Sequence, residues 1–192
     1  MKTEIGFTTA FIIGLLFKFL HLPGGSIIVI LSLGILSILY SSGGFYFFSD
    51  KTIKKSNIGF SIAAGLFLSI PLLGILFKIQ HYPGATIMLL VGSLVAPVFL
   101  VLTLVLKSKA TEELKVYYQN MTTRTVAITF FTILLYLTPV STLVSIQYWD
   151  DPEMVRLSTL RFEYPDNDEY QRQYEEYMLE KERVRFEEAQ SE

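Results

Sequence analysis

Hydrophobic residues in this chain come in five long runs separated by short polar breaks. The runs cover residues 5–20, 26–48, 58–80, 85–106 and 125–146, and the second is uncharged from end to end. About 20 apolar residues are enough for a helix to cross a bilayer. The pattern therefore predicts an all-α, polytopic membrane protein: two tandem transmembrane helical hairpins, a fifth transmembrane helix and an extramembrane C-terminal helix. The first run also resembles a signal peptide. Lys18 ends it and no small-x-small cleavage site follows, so a retained helix is the better reading.

Two of the breaks are the same stretch. Residues 14–27 read GLLFKFLHLPGGSI and residues 74–87 read GILFKIQHYPGATI. At a constant offset of 60, Gly14/Gly74, Leu16/Leu76, Phe17/Phe77, Lys18/Lys78, His21/His81, Pro23/Pro83, Gly24/Gly84 and Ile27/Ile87 are identical. Proline lacks an N–H and glycine accepts positive φ, so Pro23-Gly24 and Pro83-Gly84 suit tight turns between antiparallel helices. Two side-by-side hairpins related by a pseudo-twofold along the membrane normal follow from the repeat. Pro71 lies inside the third run, where neighbours must satisfy the carbonyl it frees.

Charge is distributed unevenly. Residues 1–146 carry ten Lys or Arg against four acids, and residues 147–192 carry six against fourteen. A basic apolar body followed by an acidic tail is a membrane domain with a soluble extension. The N-terminus, residues 49–57 and residues 107–124 hold eight basic residues on one side, which places that side in the cytoplasm. The expected organisation is a first hairpin (1–48), a basic cytoplasmic loop (49–57), a second hairpin (58–106), a cytoplasmic connector (107–124), a fifth span (125–147) and an acidic tail (148–192). Tyr148 and Trp149 suit the headgroup level at the end of that span. Five spans place the tail on the far side.

The tail has helical composition from Asp168 to about Ala189, with Tyr164-Pro165-Asp166-Asn167 as its start signal. Tyr170, Tyr174, Tyr177, Lys181 and Val184 recur at spacings of four and three. Tyr170, Tyr174, Tyr177 and Val184 thus form a candidate partner-binding stripe. A solvated charged helix with no fixed partner is the alternative.

Candidate chemistry centres on Lys18, His21, Lys78 and His81. Each Lys–His pair is three apart, one face of a helix, and two pairs form a candidate polar site at the outer end of the bundle. The competing reading is structural: lysine snorkels outward and histidine satisfies carbonyls at a helix end. Neither Asp nor Glu occurs in residues 26–48, 58–77, 85–106 or 125–146, which argues against an ion path through the bilayer. There is no cysteine, no G-x-S-x-G, no H-E-x-x-H and no phosphate loop. The reading is a non-enzyme with no metal site and no cofactor. Its expected partners are the lipid bilayer and other membrane or periplasmic proteins, with an oligomer left open and nucleic acid excluded.

The segment Phe77-Lys78-Ile79-Gln80-His81-Tyr82-Pro83-Gly84-Ala85, followed by Thr86-Ile87-Met88-Leu89, resembles the N-terminal transmembrane hairpin of GldL. That family supplies an inner-membrane subunit of the gliding-motility and type IX secretion motor of Bacteroidota. Phe17-Lys18-Phe19-Leu20-His21-Leu22-Pro23-Gly24 resembles it more loosely. The resemblance implies a bacterial inner-membrane protein, a subunit or scaffold of a membrane complex, whose family Lys and His fall on Lys78 and His81 and again on Lys18 and His21. It also raises an alternative, a proton- or ion-coupled motor component using those pairs. The family's second helix carries a glutamate, whereas this chain has Ala96 near the matching position and no acid nearby.

Overall fold

The computed structural model describes residues 2–48, 58–82 and 84–191, and no strand occurs among them. Its helices are α1 (Lys2–Phe19), α2 (Gly25–Phe48), α3 (Ile58–Ile79), α4 (Ala85–Ser108), α5 (Glu112–Leu137), α6 (Val140–Gln147), α7 (Pro152–Glu163) and α8 (Asp168–Ser191). They fall into two units, Met1–Thr138 and Pro139–Glu192. The basic loop expected at 49–57 lies outside the described residues.

In the first unit α1 packs on α2, α2 on α3, α3 on α4 and α4 on α5, while α5 also reaches α3 and touches α2. A twofold between the hairpins would pair α4 with α1 as α2 pairs with α3. The described residues show no such contact of comparable extent, so the arrangement is a row with α3 at its centre and α5 closing it. The core follows helical spacing: Val29, Leu33, Leu36 and Tyr40 on α2 meet Ala64, Leu68, Leu72 and Ile75 on α3. Leu89 and Ala96 of α4 and Tyr117, Met121 and Ile128 of α5 complete it.

The outside of this unit is also apolar. Ile38, Ile87, Leu94, Val98, Val101 and Phe130 are each at least 60% exposed. Such a continuous surface belongs in hydrocarbon, because soluble proteins rarely leave large apolar patches uncovered. Among the described residues, three helices are long and apolar enough to cross a membrane: the Gly25–Ser42 part of α2, α3 and α4. Glu112–Leu137 joins them only when taken together with Val140–Gln147. The chain is an all-α membrane protein.

Close backbone approach holds each hairpin together. A Cβ on Gly14 would lie 2.8 Å from the Ile28 side chain, and one on Gly74 would lie 3.1 Å from the Leu89 backbone nitrogen. Pro71 sits in an unbroken α3, and Ser37 on α2 donates to Ser69 O two residues earlier at 3.0 Å.

The fifth helix differs from its expected bounds at both ends. It begins at Glu112, because Glu112 and Glu113 suit a helix's first turn and Tyr117, Tyr118 and Met121 bury themselves on the bundle. It stops at Leu137: Pro139 has no N–H to continue it, and Thr138 turns to extended backbone (φ −81°, ψ 119°).

In the second unit α7 packs on α6 and on α8, around Val144, Met154 and Leu157. Asp151 caps α7 by accepting the Met154 N–H at 2.9 Å, with Pro152 at the first position. Asn167 caps α8, its Oδ1 accepting the N–H groups of Glu169 and Tyr170.

Candidate functional site

Both copies of the repeated stretch end their helix in the same way. His21 and His81 adopt left-handed backbone, with φ of 55° and 56°. His21 N–H donates to Lys18 O and Leu22 N–H to Phe17 O; His81 N–H donates to Lys78 O and Tyr82 N–H to Phe77 O. These paired bonds are a Schellman cap, with histidine at the position glycine usually takes. Tyr82 packs edge-on against Phe77, 5.6 Å between centroids, as the apolar contact that accompanies such caps. Gly24 and Gly84, at φ 86° and 84°, then turn the chain into α2 and α4. Pro83 lies outside the described residues. The helices stop before the histidines, so Lys and His of a pair do not share a helical face.

The two lysines have different surroundings. Lys18 Nζ crosses to the second copy, donating to Ile79 O at 2.5 Å and Gln80 Oε1 at 3.0 Å. Gln80 Nε2 answers by donating to Ser26 O at 3.1 Å, so the turns are tied to each other. Lys18 thus serves the exposed carbonyl end of α3, where a cation also complements the helix dipole. Lys78 is buried at 5% exposure.

A second charged cluster occupies the opposite end of the first unit. Glu4 on α1 accepts Arg124 Nε at 2.7 Å on Oε1 and Arg124 Nη2 at 2.6 Å on Oε2. Tyr40 on α2 donates to the same Oε1 at 2.5 Å, and Arg124 Nη1 donates to Asn120 O. Glu4 and Arg124 side chains are each 13% exposed. Beside it Ser61 on α3 hydrogen-bonds Tyr117 on α5, and Thr103 and Thr125 are buried. Sequence reasoning counted Arg124 among the basic residues of 107–124 that set topology and gave Glu4 no role. A signal was present: an acid within the first helical turn of a membrane segment needs a partner.

The tyrosine stripe of the tail has contacts inside its own unit. Tyr177 donates to Asp151 Oδ1 at 2.8 Å and Lys181 pairs with Asp151 Oδ2. The Arg161 guanidinium stands 4.5 Å from the centroid of Tyr174, and Tyr170 packs on Tyr164 at 5.7 Å. Burial pushes the Asp151 carboxyl up, but Lys181, the Met154 N–H and Tyr177 together hold it below the usual carboxylate range. The Tyr177 phenol is raised in turn, chiefly by its bond to Asp151. Val184 is exposed, as are Leu179 and Phe186.

Among the described residues no three His, Asp or Glu side chains are placed to hold a metal ion. Lys18, the Glu4–Arg124 pair and Asp151 instead bond elements to one another. Residues 63–123 match the family model of the GldL N-terminal domain, which spans most of α3, all of α4 and the first half of α5. That stretch, containing Lys78, His81 and Gly84, is GldL-like. No curated protein and no solved structure matches the chain.

Proposed function

We propose that the chain is a non-catalytic inner-membrane subunit or scaffold of a GldL-related complex, of the gliding-motility and type IX secretion kind, in a bacterium of the Bacteroidota. The observation that carries this reading is the match of residues 63–123 to the GldL N-terminal domain. The described charged side chains support a holding role: Lys18, Glu4, Arg124 and Asp151 all bond one helix to another. The first hairpin, sharing the repeated stretch and its cap geometry, is a second copy of the same unit.

Partner binding falls to the helices and the acidic tail, with other membrane or periplasmic proteins as partners. Because Tyr170, Tyr174 and Tyr177 contact Arg161 of α7, its cap Asp151 or the Tyr164 turn, the exposed apolar pair left on one face of α8 is Leu179 and Phe186, with Val184 exposed on another side. Affinity purification in mild detergent, comparing the full chain with one lacking residues 150–192 and with Leu179→Asp/Phe186→Asp, tests this. A stoichiometric partner lost in both variants is expected; partners indifferent to both sink the tail's role.

The alternative, a proton- or ion-coupled component using Lys18/His21 and Lys78/His81, is favoured by the burial of Lys78 in an apolar helix. It predicts that His21→Ala/His81→Ala abolishes a proton-motive-force-dependent activity at unchanged membrane levels. Wild-type behaviour of that double variant removes it.

A further inference from the structure

The side of α5 turned to α3 and α4 carries a run of threonines. Thr122, Thr125, Thr129 and Thr132 follow spacings of three, four and three, so they share one helical face, and all four are buried. Contacts fix that face at both ends. Tyr117 hydrogen-bonds Ser61 of α3, and a Cβ on Gly92 of α4 would lie 2.7 Å from Pro71 of α3 and 3.1 Å from Thr132. A helical threonine commonly satisfies its hydroxyl on the carbonyl four residues back. Thr103, Thr122 and Thr132 do so, donating to Phe99 O, Tyr118 O and Ile128 O. Thr125 and Thr129 do not. Both hydroxyls are closed off from the surface, and among the described residues neither has a hydrogen-bond partner.

α3 contributes a third group at the same level. Pro71 has no N–H to give the carbonyl of Phe67, one turn earlier. Ser61 meets Tyr117, while Pro71 and Thr132 meet over Gly92, so α3 and α5 run in the same direction. Phe67 therefore falls beside the Thr125–Thr129 turn. Polar groups left unbonded away from water are strongly disfavoured, and in membrane helices ordered water is one means of satisfying them. Side chains four apart on a helix face stand about 5–6 Å apart, twice the ~2.8 Å of a hydroxyl–water bond. A buried water takes about three hydrogen bonds, and two hydroxyls with one carbonyl supply that number. Arg124, next to Thr125, is already neutralised by Glu4, so the surroundings favour a neutral ligand over an ion.

We propose that Thr125 and Thr129, with the carbonyl of Phe67, hold water inside the α3–α4–α5 core. Both threonines lie beyond the GldL-like stretch of residues 63–123, so this site stands apart from the family assignment and from the Lys/His pairs.

Met121, fully buried one turn before Thr125, is the reporter. Hydroxyl radicals that an X-ray pulse makes from bound water oxidise a methionine beside it to the sulfoxide. With the full chain in detergent, mass spectrometry should find Met121 oxidised several-fold faster in the wild type than in Thr125→Val/Thr129→Val. Thr125→Ser/Thr129→Ser should keep the wild-type rate, and so should Thr132→Val. The valine pair should also lower the thermal unfolding midpoint, because the water loses two of its partners. Dry, unbonded hydroxyls would give the opposite sign, since an apolar group of the same shape then removes a penalty. Equal Met121 oxidation in the wild type and the valine pair overturns the proposal, as does a raised midpoint. A wild-type midpoint that rises with sodium or potassium over choline, and in the valine pair does not, assigns the site to a cation and overturns it too.

Discussion

Glu4 and Arg124 form a bidentate pair that is nearly closed to solvent, with Tyr40 as a third partner. Removing one member of a buried pair strands the other, which costs about 3–5 kcal/mol. Glu4→Gln and Arg124→Gln should each lower the unfolding free energy in detergent by that amount, and the double variant should recover part of the loss. Tyr40→Phe should cost about 1 kcal/mol, one hydrogen bond. The histidines make a contrasting prediction. Left-handed backbone costs a side-chain-bearing residue roughly 1–2 kcal/mol and glycine nothing. His21→Gly and His81→Gly should therefore hold or slightly raise stability, and His81→Val should lower it by about 1–2 kcal/mol. An activity lost in the glycine variants at full stability would assign chemistry to the imidazoles. Asp151 gives a pH dependence. Its carboxyl is held below the unfolded value of about 3.9, so its stabilisation is present above that pH and is lost as pH falls through the folded value. Hydrogen exchange on α8 of the full chain, corrected for intrinsic rates, should show protection at pH 7 that fades below about pH 4. Asp151→Asn should remove that dependence.

At the scale of elements, the hairpins were legible because helices of period 3.6 ended at a proline–glycine turn written twice. The cap was not, since histidine in the left-handed region leaves no mark that separates it from a helical residue. α5 was misjudged at both ends for opposite reasons. Its first turns carry Glu112, Glu113 and Lys115 and look like a connector, though Tyr117 and Met121 bury on the other face. Its end looks continuous in hydropathy, and hydropathy does not weigh Pro139. The Glu4–Arg124 pair was illegible in another sense: residues 120 apart meet only through the order of helices in the row. Close packing separates the two copies in a testable way. A Cβ at Gly25 would lie 2.6 Å from Lys18 N, whereas the equivalent position already holds Ala85. Gly25→Ala should cost about 1–3 kcal/mol by overpacking, and Ala85→Gly less than about 1 kcal/mol.

For the whole molecule, the expectation to test is that all five apolar runs cross, which would bring the acidic tail out on the periplasmic side. A membrane-impermeant maleimide should label Glu188→Cys from the periplasmic side, and the absence of native cysteine makes that readout unambiguous. Labelling from the cytoplasmic side would mean that the chain does not cross at α5. The same row of helices sets a timetable. α1 packs chiefly on α2, yet Lys18 is satisfied by Ile79 and Gln80 at one end and Glu4 by Arg124 at the other. A ribosome adding about 5–20 residues per second delivers Arg124 on the order of 6–24 s after Glu4. Through that interval α1 holds a carboxylate whose cation has not been made. α1 is thus fully secured only once α5 has emerged.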